Sequence, residues 1–315
     1  MRKKLSRGQF FKTCLALIAY LVYGMRRPQQ GLADNKTSDG RPKKNTRGAY
    51  DIVEAKGDDP YRVTVKAIEA MGGIDRFVKK GDTVLVKPNI GWDRSPEQAA
   101  TTNPKVVAAI VELCFNAGAR RVNVFDVTCN DARRCYDNSG IMQAAVAKGA
   151  NVFFPDDWNT FEARLPYDSP LQGWPILRDA LECDTFINVP ILKHHSISKL
   201  TLSMKNLMGI CGGNRGMMHR DIGTYLVDLT DFINPELTII DAYRVLRRNG
   251  PTGGNLADVE ERKTVIAATD PTLADTYAAK LFGIDPFDIP NIRVARDRKF
   301  GSVDIASASV STIEV

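Results

Sequence analysis

Short apolar runs that stop at a polar side chain recur along this sequence, and they constrain its fold more than any other feature. Thr83-Val84-Leu85-Val86 is a β-branched run after the turn-forming Lys80-Gly81-Asp82, as expected of a buried strand. It ends in Lys87-Pro88-Asn89, because Pro has no N–H for a central ladder. Asn103-Pro104 then opens a helix, Asn as cap and Pro at the first position. Val106, Val107, Ile110, Val111 and Leu113 give that helix an apolar face, and Gly118 closes it. Further strands are expected at Asp51–Ala55, Arg121–Val127, Asn151–Phe154, Thr185–Val189, Leu237–Asp241 and Thr264–Ala268. Helices are expected over Tyr61–Met71, Ser139–Lys148, Pro175–Glu182, Lys199–Ile210, Ile222–Ile233, Pro271–Phe282 and Phe287–Arg298. The alternation predicts an α/β fold, a mainly parallel or mixed sheet between helices, in a single large domain over residues 49–315. In such sheets the polar residues just past the strand C-termini gather at one edge, where ligands bind. Lys87, Asn89, Asp126, Lys193, Asp241 and Asp270 occupy such positions.

One stretch concentrates the chemistry. Residues 187–219, INVPILKHHSISKLTLSMKNLMGICGGNRGMMH, hold all three histidines, His194, His195 and His219. Lys193 follows a buried strand, where an ammonium is costly without an anion or carboxylate. The functional reading is an anion clamp in which Lys87, Lys193 and Lys205 neutralise a phosphate or carboxylate while Asn89 and Asn206 orient it. The structural reading pairs Lys193 internally with Asp126 or Asp241; Asp126 and Asp275 are the counter-ion candidates for the lysines. Met204, Leu207 and Met208 read as the core face of a helix, which turns Lys205 and Asn206 another way. His195 and His219, with Lys193, are the candidates for acid–base catalysis, since histidine titrates near neutral pH. A divalent metal is the main variant, with His194, His195, His219 and Asp241 as donors. None of the usual spaced metal motifs supports it. The 211–216 segment and the Gly250-Pro251-Thr252-Gly253-Gly254 loop could each present backbone N–H groups to an anion, Gly253 and Gly254 being the ligand candidates in the second. Neither matches the P-loop or dinucleotide fingerprint, and a flexible lid is the equal alternative. There is no Ser-His-Asp elbow motif.

The net charge of +6 is a property of the N-terminal tail. Residues 1–48 carry 12 Lys/Arg against 2 Asp/Glu, leaving 31 against 35 in the body, which argues against a nucleic-acid-binding surface. Residues 1–33 read as an export signal: a basic n-region and then an apolar run, Thr13–Met25, too short for a comfortable membrane span. Ser6-Arg7-Gly8-Gln9-Phe10-Phe11-Lys12 is a degenerate twin-arginine pattern, with Gly8 where the second Arg stands. Gly31-Leu32-Ala33 offers a cleavage point; Arg26-Arg27 also fits a retained anchor, the one route by which this chain would hold a membrane. Export to the periplasm or cell envelope is expected, with a cytoplasmic protein as the alternative. Residues 34–48 read as a disordered basic linker. The six cysteines form no CxxC pair and no ferredoxin-type run, so an iron–sulfur cluster of its own is not expected. Cys129 and Cys135 are spaced to pair across a short loop or to serve as ordinary small residues.

The motifs VLVKPNI (84–90), TTNPKVVAAIVELCFNAGARRVNVFD (101–126), FINVPILKHH (186–195), LSMKNLMGI (202–210) and LTIIDAYRVLRRNGPTGG (237–254) together resemble the domain of unknown function 362 family. So do the His219 segment and Asp270-Pro271…Ala274-Asp275, and the resemblance runs over about residues 49–305. It implies an α/β domain, often exported by the twin-arginine route, with no established reaction. Members sometimes labelled iron–sulfur proteins carry a ferredoxin-like segment that this chain lacks. The sequence thus predicts an enzyme-like protein that binds a small anion. Its alternatives are a redox or iron–sulfur accessory protein docking an electron-transfer partner, and a binding module without catalysis.

Overall fold

A computed structural model describes residues 37–44, 46–155 and 159–315. Segment 1–33, expected to be an export signal, lies outside the described residues. Thirteen strands occur among them. The first seven are β1 (Thr37–Ser38), β2 (Ile52–Lys56), β3 (Thr83–Pro88), β4 (Arg121–Val124), β5 (Asn151–Val152), β6 (Thr160–Ala163) and β7 (Pro175–Leu177). Six follow: β8 (Thr185–Val189), β9 (Ile191–His195), β10 (Lys199–Thr201), β11 (Leu237–Leu246), β12 (Val259–Ala268) and β13 (Val310–Glu314). The main sheet has ten strands, with the path β13-β2-β12-β11-β8-β3-β4-β5 and a β9–β10 hairpin attached to β11. From β11 to β5 neighbouring strands on this path run parallel, whereas β12 is antiparallel to β11 and to β2. The fold is α/β with a mixed sheet.

Alternation along β3 and β8 distributes their side chains to two cores. Val84, Val86, Ile187 and Val189 meet the helices Pro60–Ala70, Pro104–Asn116 and Ile141–Ala147 on one face. Leu85 and Phe186 meet the Ile222–Ile233 helix on the other, and the Pro271–Phe282 helix covers β11 and β12 beside them. The expected Asn103 cap forms, and Asp270, expected as a strand-end polar group, is a cap as well. Asn103 accepts from the Lys105 N–H at 3.0 Å. Asp270 accepts from Thr272 and Leu273 with one oxygen and from Ser302 with the other, so it is spent on structure.

Three expectations need correction, and one helix was not expected. Lys199–Thr201 is a strand, because it pairs antiparallel with β9, and the helix after it starts only at Ser203, whose N–H donates to Asp275 at 2.7 Å. Pro175–Leu177 is likewise a strand, paired with β6. Ala132–Asn138 is a helix, capped by Asp131, that the periodicity did not reveal. The described residues of 37–48 are not a disordered linker. β1 pairs parallel with β6, and Arg41 is buried against Glu236, both carboxylate oxygens lying 3.0 Å from one guanidinium nitrogen. Thr37–Val315 accordingly forms one compact unit. Among the described residues no helix is long and apolar enough to cross a membrane.

Candidate functional site

Pro190 breaks the chain between β8 and β9, and β9 then runs beside β11 past the C-terminal edge of the parallel strands. Side chains alternate along a strand, so Lys193 and His195 face one way and His194 the other. Lys193 and His195 line a cavity of about 550 Å³ with Asn89, Lys205, Cys129 and His219. His194 is not among its walls; its Nδ1 accepts from the Gly250 N–H at 3.1 Å. The neighbouring histidines therefore serve different surroundings.

The three lysines also differ. Lys87 Nζ lies 2.7 Å from Asp126 Oδ1 and 2.7 Å from the Pro88 carbonyl, with Asn206 Oδ1 at 3.4 Å. Three acceptors occupy its three N–H bonds, so the expectation that Lys87 neutralises a ligand is corrected: it lies behind the cavity wall in an internal ion pair with Asp126, which is part of that wall. Burial pushes its ammonium down in pKa, and Asp126 opposes that. Asp126 is held further by the Ile90 N–H at 2.6 Å. Gly209 leaves room for this pair; a Cβ there would sit 1.7 Å from Asp126 Oδ1.

Lys193 is 1% exposed and donates to Asn89 Oδ1 at 3.0 Å and to the Ala100 carbonyl. No carboxylate is among its partners, since Asp126 serves Lys87 and Asp241 serves backbone amides. Burial pushes its ammonium down to about 7; Cys129 and Asp126 oppose this, and Lys205 and Lys87 add smaller contributions in the same direction as burial. Lys205, also buried, is down to about 8 for the same first reason. Its partners are Met208 Sδ at 3.4 Å and His219 Nε2 at 3.2 Å.

The hydrogen bonds fix both ring tautomers. His195 Nδ1 accepts from the N–H groups of Ile197 and Ser198 at 3.1 and 3.3 Å, which leaves the ring proton on Nε2. Burial first, and then the positive charge of the Lys205, His219 and Lys193 side chains when protonated, hold its pKa down to about 2. His195 is thus a neutral donor at the cavity wall over the ordinary pH range, which does not suit the proton-transfer role expected of it. His219 Nδ1 faces the Gly216 carbonyl at 3.2 Å, so Nδ1 carries its proton and Nε2 accepts from Lys205. The two rings lie 5.8 Å apart between centroids.

Asparagines tie this cavity to the sheet. Asn188 donates to the Ser203 carbonyl at 2.8 Å and accepts from Asn206 Nδ2 at 2.8 Å. Asn206 Nδ2 also donates to the Lys87 carbonyl at 3.1 Å, and its Oδ1 accepts from Asn89 Nδ2 at 3.1 Å. Asn89 Oδ1 in turn accepts from Lys193. Asn206 and Asn89 line the cavity, yet their amides are engaged in positioning Lys193 rather than free for a ligand.

The remaining expected residues fall outside the cavity. Asp241 is buried in β11, accepting from Asn103 N at 2.7 Å and Tyr243 N at 3.0 Å, and burial raises its pKa to about 6. Gly253 and Gly254 turn the following loop; the Gly254 carbonyl accepts from Gln98 at 2.9 Å. Asp275 caps Ser203 and Met204 and pairs with no lysine. His194, His195, His219 and Asp241 do not converge, and among the described residues no three His, Cys, Asp or Glu side chains are grouped to hold a metal ion. The five described cysteines are free, with Cys129 exposed at the cavity wall.

Sequence reasoning missed Asn188, Gly209 and Arg215. An asparagine inside the apolar run Phe186–Val189 was a usable signal, since a buried amide needs partners. Arg215 reaches from the glycine-rich segment to the Val127 and Thr128 carbonyls at 3.0 and 2.9 Å, pinning that segment over the end of β4.

The family model for Domain of unknown function (DUF362) matches residues 84–280, which include both walls of this cavity. The chain belongs to the DUF362 family. A thylakoid-associated protein of Synechocystis sp. is 28% identical to this DUF362 chain over 233 residues, covering 71% of it and 70% of the relative. Among solved structures, the lactate racemase apoprotein from Thermoanaerobacterium thermosaccharolyticum gives a TM-score of 0.42 at 12% identity, covering 76% of this chain and 58% of that one. A protein from Thermotoga maritima gives 0.39 at 11% identity, covering 72% and 60%. The chain spans less than two thirds of the length of either structure.

Proposed function

We propose that this DUF362 protein binds a small anion, a phosphate or carboxylate, in the cavity at the C-terminal edge of its sheet, as an enzyme-like site. The observation that carries the reading is Lys193: a buried ammonium at the cavity wall, held by neutral acceptors and lacking a carboxylate partner. Leaving a buried cation uncompensated costs several kcal/mol, about 3–5 when a partner is missing, and an incoming anion removes that cost. Lys205 adds a second cation, and His195 adds a fixed neutral N–H donor. Proton transfer falls to Lys193 and Lys205, whose pKa values of about 7 and about 8 lie nearest neutrality, with His219 as the hydrogen-bond partner of Lys205. Export to the cell envelope remains part of the proposal, on the strength of the basic and apolar N-terminal segment. A relative described as thylakoid-associated is in keeping with a place at a membrane. N-terminal sequencing of the protein recovered from fractionated cells tests the export.

Titration calorimetry with phosphate, pyrophosphate and small carboxylates at pH 6.5 tests the site. Binding is expected in the wild type and lost in Lys193→Met and Lys205→Met, with both variants folded by circular dichroism. Binding that survives in both variants would sink the reading.

A further inference from the structure

The hydrogen bonds at Lys193 Nζ single out one bonding direction. An ammonium has three N–H bonds, whereas a neutral amine has two and a lone pair. Two acceptors, Asn89 Oδ1 and the Ala100 carbonyl, serve Nζ, and they match the two hydrogens of the neutral amine. The remaining tetrahedral position carries the lone pair, and Lys193 lines the cavity. Lys87, by contrast, has a third acceptor in Asp126 and stays committed as an ammonium.

We propose that Lys193 is a covalent nucleophile that forms a Schiff base with a small carbonyl-bearing anion, of which a 2-oxo acid or an aldehyde acid is the simplest class. This rests on the anion-site reading above and names the substrate class of that site. The Nζ lone pair attacks the carbonyl carbon, forming a C–N bond while the carbonyl π bond becomes a hydroxyl of the carbinolamine. The C–O bond then breaks, and the oxygen leaves as water with both hydrogens that the amine gave up; nothing is oxidised or reduced. Lys205 has one N–H left after Met208 and His219 to hold the carboxylate. The Nε2–H of His195 is a donor for the carbinolamine oxygen. Burial without a carboxylate partner, beside Lys205, is an arrangement that keeps a lysine amine neutral and nucleophilic; Cys129, Asp126 and Lys87 are the other charged or titratable groups around it.

Incubating the full chain with glyoxylate or pyruvate and sodium cyanoborohydride at pH 7.0, then mapping peptides by mass spectrometry, tests this. Reduction turns the imine into a stable secondary amine. One adduct per chain is expected at Lys193, forming on the order of 10- to 100-fold faster than at exposed lysines, because a far larger share of its amine is neutral there, an advantage that the lower nucleophilicity of a weaker base offsets in part. Phosphate competes with it, Lys205→Met slows it, and Lys193→Arg, which keeps the cation, abolishes it. Calorimetry with lactate and phosphate on the same preparation separates the two claims. Anion binding without a Lys193 adduct overturns the Schiff base and leaves the anion site standing. Neither binding nor adduct overturns both. Adducts spread evenly over exposed lysines overturn the assignment to Lys193.

Discussion

Gly209→Ala isolates the buried pair behind the cavity from everything else in the site. Gly209 does not adopt a positive φ, so alanine meets no backbone strain there and the whole effect lies in contact. The new Cβ would stand 1.7 Å from Asp126 Oδ1 and 2.7 Å from Lys87 Nζ, against an ordinary carbon–oxygen contact of about 3.5 Å. The carboxylate cannot swing aside freely. Its Oδ2 accepts from Ile90 N at 2.6 Å, and the Asp126 backbone N–H donates to Tyr136 Oη at 2.8 Å. Clearing the overlap means pulling Oδ1 off Lys87, and breaking a buried pair costs about 3–5 kcal/mol. The lower backbone entropy of an unfolded alanine offsets about 0.4–1 kcal/mol of that.

A net loss of about 2–4 kcal/mol follows, on the order of a 5 °C fall in Tm for a chain of this size. Gly212→Ala is the internal control, since nothing there comes nearer than 3.6 Å to an added Cβ. Urea denaturation followed by circular dichroism reads both. Lys87→Met breaks the same pair, so the double variant Gly209→Ala/Lys87→Met should cost well under the sum of the two singles. Equal stability of Gly209→Ala and Gly212→Ala, or strict additivity in the double variant, would refute the reasoning.

Three further outcomes are expected. Lys193 has a folded-state pKa of about 7 against an ordinary 10.5, so between these values the unfolded chain holds a proton that the folded chain lacks. Wild-type stability should therefore rise relative to Lys193→Met by about 1.4 kcal/mol per pH unit from pH 7 toward 10 and stay parallel to it below pH 7; a constant offset across pH 6 to 10 in urea melts would contradict this. Anion affinity should fall as pH rises through 7 and 8, where Lys193 and Lys205 lose their protons. Binding at pH 7.5 should then take up as much as about one proton, read by calorimetry in buffers of different ionisation enthalpy. Arg41→Ala leaves the buried Glu236 with only the Lys44 ammonium at 3.6 Å and the Phe186 N–H at 2.7 Å and should cost about 3 kcal/mol, the low end for a broken buried pair, whereas a dispensable linker predicts no change in the same melts.

Much of the strand-and-helix frame was legible because the strands expected from the sequence carry their own β-branched runs and their own stops. Lys87-Pro88 and Asn103-Pro104 mark boundaries that the structure repeats almost residue for residue. The β9–β10 hairpin was not legible. Lys199–Thr201 carries no period of its own and becomes a strand only because β9 offers it a partner. The strand ends pointed to the edge where the cavity lies, but the hydrogen-bond partners of each side chain around it could not be read. Whether a buried lysine faces a ligand or a carboxylate depends on which carboxylate reaches it. Asp126 reaches Lys87 across 39 residues of sequence, a choice made by tertiary packing. For the described residues of 37–48 the linker reading failed for the same reason: their polar composition says nothing of Glu236, the buried group that receives Arg41.

That choice also explains why the asparagines matter more than they would as ligands. A flexible lysine buried without a counter-ion would ordinarily find the nearest carboxylate, and Asp126 is close enough to influence Lys193. Two arrangements prevent it. Lys87 and the Ile90 amide already occupy the oxygens of Asp126, and Asn89 holds Lys193 Nζ by an oxygen whose orientation is set by Asn206 and, behind it, Asn188. Neutral amides can hold an ammonium or an amine alike, which a carboxylate cannot do without fixing the charge. The relay from Ser203 to Lys193 therefore keeps the lysine in place while leaving its protonation to whatever enters the cavity. Replacing Asn89 by aspartate would install the missing counter-ion at 3.0 Å, raise the pKa of Lys193 toward its ordinary value, and close the site to anions without removing a single lysine.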